Sequence, residues 1–285
     1  MDDGREERAF ARVIWELRAY LPEVVVIGGW VPYLYRQYGG FRRWAASVSF
    51  TADVDILIER PVPADGRRPI AEILSGAGFE PHDASAAVWI GDVARGEKVE
   101  FLVPHMGTAR GLGRPVAVGD QRHLGAIPLQ HLRVMRRHTT TLAVPAGLAS
   151  GRLAEVQVTV PRLGAYVVNK ASTFTHRGSG AAEGNAKRAK DLLYLRDLMA
   201  AGEEVATRIE ADLAEISASH RETRSDVGYA ASQLELALRG AASRTVDEAA
   251  EALAERERTL GTAAARADLQ GHLTDLAEML RANSR

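Results

Sequence analysis

The sequence predicts an α/β domain over residues 1–160 followed by a mainly α-helical domain over residues 161–285. Two observations predict it. Short apolar, β-branched runs alternate with helix-periodic segments as far as about residue 103, the signature of strands and helices in alternation. From Pro161 onward, large apolar residues recur at helical spacing. With 285 residues, 46% of them hydrophobic, the chain has room for one large domain or two ordinary ones and can bury a sizeable core.

The elements follow in order. Phe10, Val13, Ile14, Leu17 and Leu21 share one helical face, so an amphipathic helix should run from about Arg5 to Tyr20 and end before Pro22. Glu23 to Ile27 is short, apolar and β-branched, a buried strand that Gly28 and Gly29 stop abruptly. A helix from roughly Trp30 to Tyr38 comes next, then a strand at Val54–Ile58, a helix near Ile70–Ser75, and strands at Ala87–Ile90 and Lys98–Val103. Gly, Pro and Arg are scattered between 104 and 165, where strands at Thr141–Val144 and Ala154–Val160 would extend the same sheet. Pro161 suits a first helical turn, and Leu163, Tyr166, Val167 and Phe174 line one side of the helix it opens. The signal repeats at Val205, Ile209, Leu213 and Ile216, and at Leu269, Leu273, Leu276 and Leu280, so about four or five helices should fill this region.

Charge and composition narrow the function. The net charge of −1, from 36 basic and 37 acidic residues, gives no global field toward nucleic acid or an anionic membrane, so an RNA partner must meet a local patch. The absence of cysteine excludes a disulfide framework, a thiolate metal site and a cysteine nucleophile, which leaves oxygen and nitrogen chemistry. Met1–Glu7 lacks the basic-then-apolar pattern of a signal peptide and no run of about 18 apolar residues follows, so the expectation is a cytoplasmic protein with no membrane partner.

The stretch that carries chemistry is Val24 to Ile58. Alternate side chains of a strand share a face, so Asp53 and Asp55 point the same way, roughly 6 to 7 Å apart, and both can reach one ion. Val54, Ile56 and Ile58 take the opposite face and pack on the core. Glu100, set among Val99, Phe101 and Leu102, is the candidate third carboxylate. Three carboxylates suit Mg²⁺, which prefers octahedral oxygen ligation completed by water and phosphate. A second ion sharing Asp53 and Asp55 would give the two-metal arrangement for in-line phosphoryl displacement. Gly28 and Gly29, without Cβ atoms and at a helix N-terminus, would let backbone approach a phosphate.

These residues resemble the nucleotidyltransferase superfamily, whose pattern is a strand ending in Gly-Gly or Gly-Ser, an acid-x-acid strand and then a third acid. The chain looks most like the toxin-like bacterial group, similar to abortive-infection and type IV toxin-antitoxin enzymes. Gly28, Gly29, Thr51, Asp53 and Asp55 match its Gly-Gly and Thr-x-Asp-hydrophobic-Asp pattern. Lys170 and the pair Lys190-Asp191 match its later lysine and Lys-Asp positions. The resemblance covers roughly residues 20 to 200. Ser49 stands where an arginine is common, and Tyr194 where a second acid often follows.

The resemblance implies an α/β (α+β) nucleotidyltransferase-type domain with a mixed sheet, and a helical domain that closes over the nucleotide. It implies Mg²⁺-dependent transfer of a nucleoside monophosphate from an NTP to a hydroxyl, with Asp53, Asp55 and Glu100 as catalytic and metal residues. Lys170 would bind the triphosphate and Asp191 would orient it. Arg177, seven residues from Lys170, would share its helical face as a further nucleotide-binding residue. Acceptors consistent with the group are a tRNA 3′ end, a protein hydroxyl or a small molecule, and a cognate antitoxin is an implied partner. An antibiotic-modifying adenylyltransferase and a catalytically silent nucleotide- or partner-binding module are the alternative readings.

Taken alone, the residues allow plainer roles. Lys170 reads as a solvated helix residue, Asp191 as a surface acid paired with Lys187 or Arg188, and Trp30, Trp44 and Trp89 as core or pocket wall. Trp44, beside Arg42 and Arg43, could stack on a base. The histidines show no metal-ligand spacing.

Overall fold

A computed structural model describes residues 3–46, 53–58, 62–63, 65–92, 97–105, 113–147, 153–176, 182–239 and 243–285. Thr51 and Arg177 lie outside the described residues. The chain divides into two compact units. One takes in the described residues of 1–40 and 50–161, the other those of 41–49 and 162–285.

The first unit opens with α1 (Asp3–Glu16) and a 3-10 turn at Leu17–Ala19, where the sequence predicts a helix to Tyr20. It continues through β1 (Val24–Ile27), α2 (Trp30–Tyr38), β2 (Asp53–Ile58), α3 (Ile70–Gly76), β3 (Glu80–Pro81), β4 (Val88–Ile90) and β5 (Lys98–Pro104). Then come β6 (Val116–Ala117), β7 (Gly125–Leu129), α4 (Leu132–Arg137), β8 (Thr139–Gly147) and β9 (Leu153–Pro161). The main sheet runs β1-β2-β5-β4-β3, and β7 pairs the second half of β5 with β6 outside it. β1 is antiparallel to β2 while β2, β5 and β7 run parallel, so the sheet is mixed. Every residue of β1 is buried, as its unbroken apolar run requires. Val13 and Ile14 of α1 are fully buried, and Phe10 stacks on Trp30 with ring centroids 4.3 Å apart. Trp30 and Trp89 are therefore core residues.

The strands expected to extend this sheet do not join it. Among the described residues β8 and β9 pair only with each other, from Thr139↔Pro161 to Gly147↔Leu153, as a two-stranded antiparallel sheet. The reason is local: the two strands match each other over their whole length, so a hairpin satisfies their facing backbone groups. The strand that does extend the main sheet is β7, which the sequence hides because Pro128 interrupts it.

The second unit contains six α-helices among the described residues, where the sequence suggests four or five. They are α5 (Leu163–Thr173), α6 (Ala182–Met199), α7 (Glu203–Ser219), α8 (Arg221–Leu238), α9 (Ser243–Arg256) and α10 (Thr262–Asn283). α8 and α9 escape notice because much of what they bury is alanine: Ala230, Ala231, Ala237, Ala249 and Ala250. Alanine gives helix propensity but a weak apolar signal. Segment 41–46 belongs to this unit. The Ala45 N–H donates to the Ala201 carbonyl at 3.0 Å and the Arg42 N–H to Glu204 at 3.0 Å. A charged network ties α6, α9 and α10: Arg196 donates to Asp268 at 2.6 Å and to Glu257 at 2.9 Å, while Arg256 clamps Asp197 at 2.6 and 2.7 Å. No helix among the described residues is long and apolar enough to cross a membrane.

Candidate active site

The site is built on the pairing of β2 with β5. The parallel register sets Asp53 against Lys98 and Asp55 against Glu100. In parallel strands register partners point to the same face, and neighbouring strands lie about 4.8 Å apart. Asp53, Asp55, Lys98 and Glu100 thus form a two-by-two polar patch, all four partly exposed. The intervening Val54, Ile56, Val99 and Phe101 take the other face and are buried at 0–1% exposure. Alternation of period two places three acids and one base on the surface of an otherwise apolar sheet.

Lys98 is the site residue that sequence reasoning missed. Its Nζ donates to Asp53 Oδ2 at 2.9 Å, with the two side chains 35% and 43% exposed. Partial burial lowers the Lys98 pKa, but the hydrogen bond it donates to Asp53 and the fields of Asp53, Glu100 and Asp55 outweigh it, so the pKa is raised. Lys98 therefore senses all three carboxylates. The one available signal was its position two residues before Glu100 on the same strand, which matters only once the register is known. Among the described residues no three histidine, aspartate or glutamate side chains converge as a ready metal cage.

Glu97, next in sequence to Lys98, belongs to a different structure. It is buried, accepts two hydrogen bonds from Arg12 at 2.7 and 2.9 Å, and accepts the Asp92 N–H at 3.1 Å. It fastens α1 to the approach to β5 and stands apart from the polar patch.

Gly28 is a glycine because of Asp55. Ile27 is the register partner of Asp55, so the chain leaves β1 beside that carboxylate. A Cβ on Gly28 would lie 2.0 Å from Asp55 Oδ2, and the residue's φ is +75°, a region disfavoured for side chains. Gly29 caps the N-terminus of α2 with φ −69°. Both glycines are buried.

Lys170 on α5 and Asp191 on α6 are brought together in the second unit. Lys170 Nζ donates to Asp191 Oδ1 at 2.7 Å, with side-chain exposures of 5% and 3%. The plainer reading of a solvated lysine and a surface acid is thereby corrected, because both side chains are buried and paired with each other. The ammonium also lies 5.6 Å from the Tyr166 ring centroid and 5.1 Å from that of Tyr194. Tyr194, standing where a second acid is common, is thus part of the lysine's surroundings. Trp44 packs edge-on against Phe41, with centroids 5.5 Å apart.

The sequence profile of a nucleotidyltransferase family matches residues 6–220, well over half the chain. No match was found among curated proteins. None was found among solved structures.

Proposed function

The chain belongs to the nucleotidyltransferase family and is a nucleotidyltransferase enzyme; from that premise we propose that Asp53, Asp55 and Glu100 hold Mg²⁺, as one or two ions, against the triphosphate of an NTP. The observation that carries the reading is the register that seats Asp55 beside Glu100 and places Asp53 on the same face. The donor set fits the ion, since three carboxylates offer hard oxygen ligands. Lys98 supports the fit, because the patch already draws a cation to Asp53. When bound, the metal supplies charge neutralisation at the phosphates and an electrophilic pull on the oxygens that attack and leave.

The residues then divide the work. Asp53 and Asp55, fixed by β2, would hold the ion and through it position the α-phosphate for in-line attack. Glu100 takes the proton of the acceptor hydroxyl as its oxygen bonds to the α-phosphorus, or serves as a ligand. The bond to the bridging oxygen of the β-phosphate breaks and pyrophosphate leaves. Gly28 lets the Asp55 carboxylate sit close to the start of α2, and Gly28, Gly29 and Thr51 are the proposed phosphate approach. Lys170, oriented by Asp191, is the proposed counter-charge for the triphosphate, and Arg177 is a further proposed nucleotide-binding residue. For the acceptor we favour the 3′ end of tRNA over a protein hydroxyl, on the toxin-like resemblance. That resemblance also supports a cognate antitoxin as partner and a cytoplasmic place of action.

The test is transfer of label from each α-³²P NTP, with Mg²⁺, into total bacterial RNA and protein, beside an Asp53→Ala/Asp55→Ala control. Label in RNA that requires both acids is the expected result. Label in protein would replace the tRNA acceptor with a side-chain hydroxyl. Label in neither, but in an aminoglycoside, would favour the antibiotic-modifying reading. Labelling that survives loss of both aspartates would overturn the site.

A further inference from the structure

The Lys98 ammonium sits where a metal-binding site has no obvious use for one. Its partner Asp53 is a proposed ligand, while Asp55 and Glu100 lie one strand position further along the same face. The pair has no structural role comparable to its neighbour's: Glu97 and Arg12 join two elements through a buried carboxylate, whereas Lys98 and Asp53 are both substantially exposed and already joined by the strand ladder. What the ammonium does accomplish is electrostatic. Three carboxylates on neighbouring strands repel one another, and a cation among them relieves that repulsion. A lysine suits the task because its compact charge rides on a flexible stem and can swing away.

We infer that Lys98 is the built-in counter-ion of the acidic patch, with which a divalent cation competes at Asp53, so that this lysine sets how tightly the site takes metal. The inference rests on the proposed function of the same acids. An ammonium and a divalent ion on one carboxylate repel each other, so metal binding at Asp53 competes with the 2.9 Å ion pair. Lys98 is on this account a positioning residue, and its removal strengthens metal binding where loss of a ligand would weaken it.

The experiment titrates the full-length protein with Mn²⁺ alone, following free metal by electron paramagnetic resonance and bound metal by calorimetry. Lys98→Met, with Lys98→Gln as a second variant of the same charge, is expected to lower the Mn²⁺ dissociation constant by about two- to fivefold, the size of a partly exposed ion pair. Lys98→Arg, which keeps the charge, should stay near the parent value. Thermal melts establish that the variants are folded. Folded Lys98→Met or Lys98→Gln protein binding Mn²⁺ no more tightly than the parent overturns the inference and leaves the metal reading standing. No Mn²⁺ binding by either parent or variants overturns both, and an Asp55→Asn variant that binds like the parent overturns the ligand assignment itself.

Discussion

At the scale of single residues, one close approach orders the site. Gly28 lies so near Asp55 that a methyl group there would overlap the carboxylate, and its positive φ adds backbone strain for any side chain. Gly28→Ala should therefore lower stability by about 1–3 kcal/mol and reduce transfer toward the level of Asp55→Ala. The double variant separates the causes: if the carboxylate is the obstacle, adding Asp55→Ala restores part of the stability lost by Gly28→Ala. Simple additivity of the two losses in chemical denaturation would refute the close approach. The Asp-x-Asp spacing was legible because period two is intrinsic to a strand. Lys98 was not legible, because its partner is 45 residues away and nothing local distinguishes its charge from that of Glu97.

At the scale of elements, the helical unit turns on the join between α5 and α6. Lys170 and Asp191 are both nearly fully buried, so removing one leaves the other's charge in a low-dielectric setting. Lys170→Met should lower the unfolding free energy by about 3–5 kcal/mol, and Lys170→Met/Asp191→Leu should recover most of that loss. Both are read by urea denaturation. The double variant also bears on nucleotide binding. If Lys170 meets the triphosphate, the refolded pair variant still fails to bind NTP, whereas restored binding would reduce the pair to a structural tie. The family resemblance singled out these two residues, but their burial depends on which helix faces pack, which no local pattern fixes. The β8–β9 hairpin has the same lesson. Its strands were legible one by one, yet their pairing with each other was a matter of register between them.

At the scale of the whole molecule, the units are not simply consecutive in sequence, because segment 41–46 belongs with the helical unit. Its anchor is backbone pairing of Ala45 with Ala201, so the Ala45 amide should exchange with deuterium far more slowly than an open loop amide. Exchange at the unprotected rate would remove the segment from that unit. The matched family region, residues 6–220, takes in the first unit from within α1 onward and the helices to the end of α7, with α8, α9 and α10 beyond it. The sequence by itself determined the apolar strands, the α/β-then-helical order and the acid spacing, because strand and helix periods are local properties of the chain. Only the tertiary structure decided that Asp55 meets Glu100, that Lys98 holds Asp53, that Gly28 yields to a carboxylate and that Lys170 is buried. Each of those depends on strand register or helix packing, where residues distant in sequence meet and the free energy belongs to the pair.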